Sequence, residues 1–197
     1  MHLVESLKPN VTRDAAVAQL RGSGLVRLLR WGSLGPLRST AEVYVPFRIF
    51  RVKIDNGNGR QEKLLAIDIL CGAFDLYALE DVPSPDRMIR VGSRNRPAPM
   101  LDDQRARDLL IERVRRLVYR QGFFRIRGLR IEAELVNREL HIPYWVGFFG
   151  FGERAHLSVL DGVRRRMEGA KVRHFLREWL ASTTGRPPGS AGEAVEV

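Results

Sequence analysis

The sequence predicts an α+β protein built from two duplicated units, each a helix packed on an antiparallel sheet or hairpin, with an amphipathic helix near the C-terminus. Three observations carry this prediction. A strand with a proline followed by an aromatic residue occurs twice, as Val43-Tyr44-Val45-Pro46-Phe47-Arg48-Ile49 and Leu140-His141-Ile142-Pro143-Tyr144-Trp145-Val146. Each copy is followed by a glycine-containing turn and an apolar segment that ends in an aspartate, Asp68 or Asp161. Each is preceded by a helix with the same cap and apolar stripe. Agreement of cap, stripe, strand, turn and aspartate in one order points to an internal repeat, not to chance likeness of two short strands.

The composition is compatible with that class. The chain has 197 residues, 44% hydrophobic and 28% charged. That is enough for a real core and too apolar for disorder throughout. No run of about 18 uncharged apolar residues is present, so no membrane-spanning helix is expected. The opening residues 1–9 contain no long apolar stretch and no small-residue cleavage site, so no secretory signal is expected. Cys71 is the single cysteine. It has no internal disulfide partner and is too few for a cysteine zinc site, and the expected compartment is the cytoplasm.

Taken in chain order, the first helix opens at Thr12, whose side-chain oxygen can cap free N–H groups of the first turn, and carries Ala16 and Leu20 on one face. Residues 24–31 read as a short second helix. The Pro46 strand then turns through Asp55-Asn56-Gly57-Asn58-Gly59 into Leu64-Leu65-Ala66-Ile67-Asp68, a β-hairpin. Residues 83–100, rich in proline, read as the linker between a first unit at 1–82 and a second at 101–181. The second helix starts after Asp102, repeats the stripe as Ala106 and Leu110, runs to about Gln121 and closes on Gly122. Segments 123–127 and 129–135 alternate apolar and charged residues, as a half-exposed strand does. The Pro143 strand, a turn at 150–153 and the segment 156–161 form the second hairpin. The separation between copies is 90 residues at the helix, 97 at the proline and 93 at the aspartate.

A last helix follows Gly169, with Val172, Phe175, Leu176, Trp179 and Leu180 on one face and basic residues opposite. Such a helix can lie on a membrane surface, but docking against a sheet is the commoner use. The tail 182–197 is rich in Gly, Pro, Ser and Thr and is expected to be disordered.

The helix opening Val11-Thr12-Arg13-Asp14-Ala15-Ala16 and the segment Leu65-Ala66-Ile67-Asp68-Ile69-Leu70-Cys71-Gly72 resemble the PepSY-like domains, small cystatin-like α+β units in which a helix lies on an antiparallel sheet. The proline–aromatic hairpin is also similar to uncharacterised bacterial modules. Cys71 stands where threonine is usual, and Arg165 occupies the place of Gly72 in the second copy, so that turn is expected to differ. The resemblance implies a fold and a non-catalytic binding or regulatory role. It brings no active-site residues.

The formal net charge is +10, from 33 Lys and Arg against 23 Asp and Glu. Basicity of this size suits a polyanion partner. The basic residues are 29 Arg and only 4 Lys, a ratio typical of GC-rich coding, so part of the charge is not functional in origin. Arginine is denser at 113–130 and 164–177.

Candidate chemistry is sparse. His2, His141, His156 and His174 show no metal-ligand spacing, and neither a metal nor a cofactor is expected. A loop at 150–153 would pair residue 147 with His156 and put His141 and His156 on one face, some six residues apart. Asp68 and Asp161 each end a strand, where a carboxylate usually accepts backbone N–H groups. Cys71 has apolar neighbours and reads as a small buried residue.

Val45, Phe47 and Ile49, with Ile142, Tyr144 and Val146, form a core face. The opposite face is too aromatic for one that simply meets water. Either the helices of the other unit cover it, or it is a partner surface. The binding surface expected from the sequence comprises Tyr44, Arg48, Phe50, His141, Trp145 and His156, for an unknown protein or peptide partner. Two rival functions remain open. One is nucleic-acid binding through Arg113, Arg116, Arg120, Arg125 and Arg127, or through Arg164–Arg166. The other is an enzyme with an inter-repeat cleft built from Asp68, Asp161 and His156.

Overall fold

The computed structural model describes residues 2–22, 35–56, 59–122, 128–150 and 155–184. In chain order the elements are β1 (His2–Leu7), α1 (Arg13–Arg21), β2 (Leu37–Asp55), β3 (Arg60–Asp68), β4 (Tyr77–Leu79), a 3₁₀ turn (Pro85–Arg87), β5 (Met88–Ser93), α2 (Asp103–Gly122), β6 (Arg130–Phe149), β7 (His156–Asp161) and α3 (Ala170–Thr184). The fold is α+β. Its strands make one seven-stranded sheet in the order β4-β3-β2-β6-β1-β5, with β7 also paired to β6.

Two long strands are the spine of this sheet. β2 and β6 pair antiparallel from Leu37↔Phe149 to Asp55↔Arg130, with a register shift between Arg48 and Ile49. At ~3.3 Å per residue such strands are about 60 Å long, so the two ends of the pair are far apart. The β2–β3 hairpin lies at one end, from Phe47↔Asp68 to Asp55↔Arg60. The β6–β7 hairpin lies at the other, from Tyr144↔Asp161 to Phe149↔His156. Both prolines sit where a hairpin ladder stops. Pro46 O accepts from Ile69 N at 3.0 Å, and Pro143 O accepts from Gly162 N at 2.9 Å. The missing proline N–H therefore faces the end of a neighbouring strand, where no partner is needed.

The sheet is covered on both faces. Val45, Phe47, Ile49, Ile142, Tyr144 and Val146 belong to one buried cluster with Leu70, Phe74 and Tyr77, and with Val172 and Leu176 of α3. The apolar stripe of α3 is thus docked on the core face. On the other face Phe50, Val52, Leu65 and Ile67 cluster with Ala106, Leu110 and Val114 of α2. Trp145, Phe149 and Leu160 cluster with Val11 and with Ala16 and Leu20 of α1.

The helices are exchanged between the two hairpins. α1 sits with the β6–β7 hairpin, and α2 with the β2–β3 hairpin. The cause is the antiparallel spine. A helix leading into a long strand lies near that strand's start, and the start of β2 runs beside the end of β6.

Other boundaries also differ from expectation. Residues 83–100 hold the 3₁₀ turn and β5, which pairs with β1 from His2↔Ser93 to Leu7↔Met88. α3 continues to Thr184, so the first residues of the expected tail are helical. The predicted helix at 24–31 and the strand at 123–127 lie outside the described residues, as does the rest of the tail. No described helix is long and apolar enough to cross a membrane.

Candidate anion-binding site

The residues expected to form a binding surface are mostly interior. Tyr44, Phe50, His141 and Trp145 are buried, at 3%, 1%, 1% and 9% exposure. The Tyr44 hydroxyl donates to Glu42 Oε2 at 2.8 Å, and burial together with that carboxylate pushes its pKa up. Trp145 Nε1 donates to Val11 O at 3.1 Å, tying the sheet to the start of α1. His141 Nδ1 lies 3.1 Å from Glu5 O, while Nε2 has no hydrogen-bond partner and is 3.7 Å from Glu139 Oε1. Burial holds the His141 pKa down, and the Arg96 charge adds to that, so the ring is neutral near pH 7. Arg48 is part-exposed and donates through Nε to Asp103 at 2.7 Å. His156 pairs with Phe149, two positions from the expected register, which puts it eight residues along β6 from His141. These six residues do not converge on an open site.

Asp68, Asp161 and His156 do not meet either, since His156 and Asp161 occupy opposite ends of β7. Each aspartate instead organises the turn after its strand. Asp68 Oδ1 accepts from the backbone N of Leu70, Cys71 and Gly72 at 3.2, 2.9 and 2.8 Å, and Oδ2 from Phe74 N at 3.0 Å. Asp161 Oδ1 accepts from Val163 N and Arg164 N, both at 2.8 Å, and Oδ2 accepts from the Tyr77 hydroxyl. The expectation of a differing second turn is corrected at the backbone: Arg165 has φ 59° where Gly72 has φ 65°. Cys71 is half-buried, and burial, reinforced by the Asp68 charge, pushes its thiol up to about 12. It is not a nucleophile at neutral pH.

The two aspartate turns and α2 frame a surface depression of about 380 Å³. Arg113, Arg116 and Arg120 fall at i, i+3 and i+7 of α2 and so share one helical face. Arg164 and Arg166 approach from the turn after Asp161, and Asp75 and Leu76 from the loop after Asp68. The wall arginines are held by carbonyls. Arg113 donates to Gly72 O and Phe74 O at 2.8 and 2.6 Å. Arg164 donates to Leu76 O at 2.8 Å, and its guanidinium lies 3.3 Å from the centre of the Tyr77 ring. A carbonyl dipole fixes a guanidinium without cancelling its charge. The carboxylates that meet these arginines are Asp75, 3.8 Å from Arg166, and Glu112, bonded to Arg116 on the exposed helix surface. Among the described residues these five cations meet two carboxylates in ion pairs, and the buried Glu168 also feels the Arg164 charge.

The sequence pointed to the 113–120 and 164–166 arginines as alternative patches; the structure brings them to one place. Arg165 is turned away and donates to Asn10 O at 2.8 Å, and Arg125 and Arg127 lie outside the described residues. The i, i+3, i+7 spacing was readable, but its opposition to Arg164 and Arg166 depends on where the second aspartate turn meets α2. Among the described residues no group of three or more His, Cys, Asp or Glu is placed to hold a metal ion. Comparisons with protein-family models, with curated proteins and with solved structures find no match to this chain.

Proposed function

We propose that this chain is a non-catalytic binding protein whose ligand is an anionic, phosphate-bearing molecule, nucleic acid included, held at the arginine-lined depression. The observation that carries this reading is the excess of Arg113, Arg116, Arg120, Arg164 and Arg166 over the carboxylates around one opening. Guanidinium groups present paired donors that match phosphate oxygens, and clustering them in excess of carboxylates costs stability unless an anion is bound. A peptide partner at the aromatic face has less support, because Tyr44, Phe50, His141 and Trp145 are covered. An enzymatic reading has less support too, since the oxygens of Asp68 and Asp161 are engaged in holding turns.

The same reading takes the chain as an internal duplication about a two-fold axis through the Val45–Ile142 pair. It is supported by the reciprocal pairs Tyr44↔Pro143 and Pro46↔His141, which exchange under the separation of 97 residues. It is supported also by matched bonds, Leu101 N to Ile69 O and Val11 N to Gly162 O, both at 3.0 Å. The caps correspond as well: Thr12 accepts from Ala15 N and Asp102 from Arg105 N. On this view the PepSY-like resemblance describes the fold of the repeat, and the site is a property of the assembled pair. Action in the cytoplasm fits the single cysteine.

The test is fluorescence anisotropy with labelled single-stranded RNA at 50 mM salt. Binding is expected, falling steeply with added salt as displaced counterions dictate. The combined Arg116→Glu, Arg120→Glu and Arg166→Glu variant is expected to lose at least about tenfold in affinity, since three phosphate contacts become repulsions. Unchanged binding by the variant refutes the assignment, as does a parent protein that binds neither this RNA nor AMP.

A further inference from the structure

We infer that the depression selects a phosphomonoester carried on a body of about nucleotide size, in preference to the phosphodiesters of an extended strand. This deepens the anion-binding reading and rests on it.

Four observations point there. The arginines stand on two walls, the α2 face and the turn after β7, so the positive groups converge on the opening from two elements. Two other depressions among the described residues are of mixed charge. The depression beside the start of α2 contains Asp103 and Glu134 with Arg107, and the one beside β3 contains Glu62, Glu80 and Asp81 with Arg51 and Lys63. A strand running out of the site towards either would meet carboxylates. The size, about 380 Å³, is at the small end of the roughly 300–1,000 Å³ range of small-molecule pockets. Lastly, Leu76 and the 45%-exposed Leu117 lie among the arginines and offer an apolar surface to a sugar or base.

Charge density then decides between esters. A phosphomonoester carries about −1.5 to −2 at pH 7, where a diester carries one negative charge. A site with more guanidinium than carboxylate gains most from the denser anion. Arg113 and Arg164 are the fixed members, already oriented by Gly72, Phe74 and Leu76 carbonyls. Arg116 and Arg166, both 69% exposed, sit in surface ion pairs that an incoming phosphate can replace at little cost.

The monoester could belong to a free nucleotide or to the end of a nucleic-acid strand. Calorimetric titrations of the full chain with four probes separate these: AMP, adenosine, a 5′-phosphorylated RNA decamer and the same decamer with a 5′-hydroxyl. The expected result is binding of AMP or of the phosphorylated decamer, or both, at least about tenfold tighter than the matching probe without the phosphate. AMP alone identifies a free nucleotide, and the decamer alone a strand end; either supports the inference. The R116E/R166E variant, altered only at exposed side chains, is expected to abolish the difference. Equal binding of the two decamers, lost in that variant, overturns the monoester inference and leaves the anion site standing. No binding of any probe overturns both.

Discussion

Gly72 and Arg165 hold the same left-handed backbone conformation, φ 65° and 59°, each four residues after an aspartate that ends a strand. Their surroundings differ. A Cβ on Gly72 would come within 2.9 Å of Leu109 Cδ1, whereas Arg165 carries a full side chain that reaches Asn10 O. Substitution should therefore be asymmetric. Gly72→Ala is expected to cost ~1–3 kcal/mol, from left-handed strain plus displacement of Leu109. Arg165→Gly should change stability by less than about 1 kcal/mol, because relief of strain offsets the added chain entropy and the lost bond. Urea denaturation of both variants measures this. Equal effects would disprove the asymmetry.

Trp145 serves packing and the seating of α1. Trp145→Ala removes a buried ring from the cluster with Ala16 and Leu20 and leaves Val11 O without its donor. The expected loss is about 3–5 kcal/mol, read as a lower denaturation midpoint. Trp145→Phe keeps most of the packing and should cost clearly less. Because the residue packs under α1 and does not line the arginine depression, Trp145→Phe should leave anion affinity unchanged.

Glu168 is 6% exposed, and burial, with the Asp75 and Asp161 charges adding to it, raises its pKa to about 7 from an ordinary 4.5; Arg164 opposes the shift. The folded state therefore holds this proton more tightly than the unfolded chain. Its stabilising contribution is complete below about pH 4.5 and is lost as pH rises through about 7. Glu168→Gln should be the more stable protein at pH 8, by something of order 2 kcal/mol, with the gap closing by pH 5. Denaturation of both proteins at the two pH values isolates this group from the other titrating residues. A gap that widens on acidification would contradict the assignment.

The crossed helices make a prediction about the halves. Residues 1–82 expressed alone lack α2, which covers Phe50, Val52 and Ile67; residues 101–197 alone lack α1, which covers Trp145 and Phe149. Neither fragment should fold cooperatively. Fragments cut near residue 83 and mixed should recover the native near-ultraviolet dichroism, because β2–β6 pairing and both helix contacts form between them. Two separately folded fragments would show the units to be independent.

Much of this architecture was legible locally. Alternation in Val43–Ile49 and Leu140–Val146 marked strands and their core face, because side chains alternate sides along a strand. The Thr12 and Asp102 caps marked two helix starts, and the i, i+3, i+4 stripe of 172–180 marked a docked helix. Asp68 and Asp161 were readable as turn organisers, because a carboxylate at a strand end has backbone N–H groups within reach. Edge strand β5 was hidden behind the prolines of 83–100, since a strand that donates along only one side can carry the composition of a linker.

Function was less legible, for a physical reason. The aromatic residues Tyr44, Phe50 and Trp145 carried the correct signal that their face is not wet, but periodicity does not say what covers a face. The antiparallel β2–β6 spine decides that, by bringing each helix over the other hairpin. It also brings the turn after Asp161 against α2. The sequence by itself determined the two hairpins, the capped helix starts and the excess of arginine. Only the tertiary structure decided that Arg113, Arg116 and Arg120 face Arg164 and Arg166, because residues some fifty positions apart become neighbours through long-range pairing that no local pattern encodes.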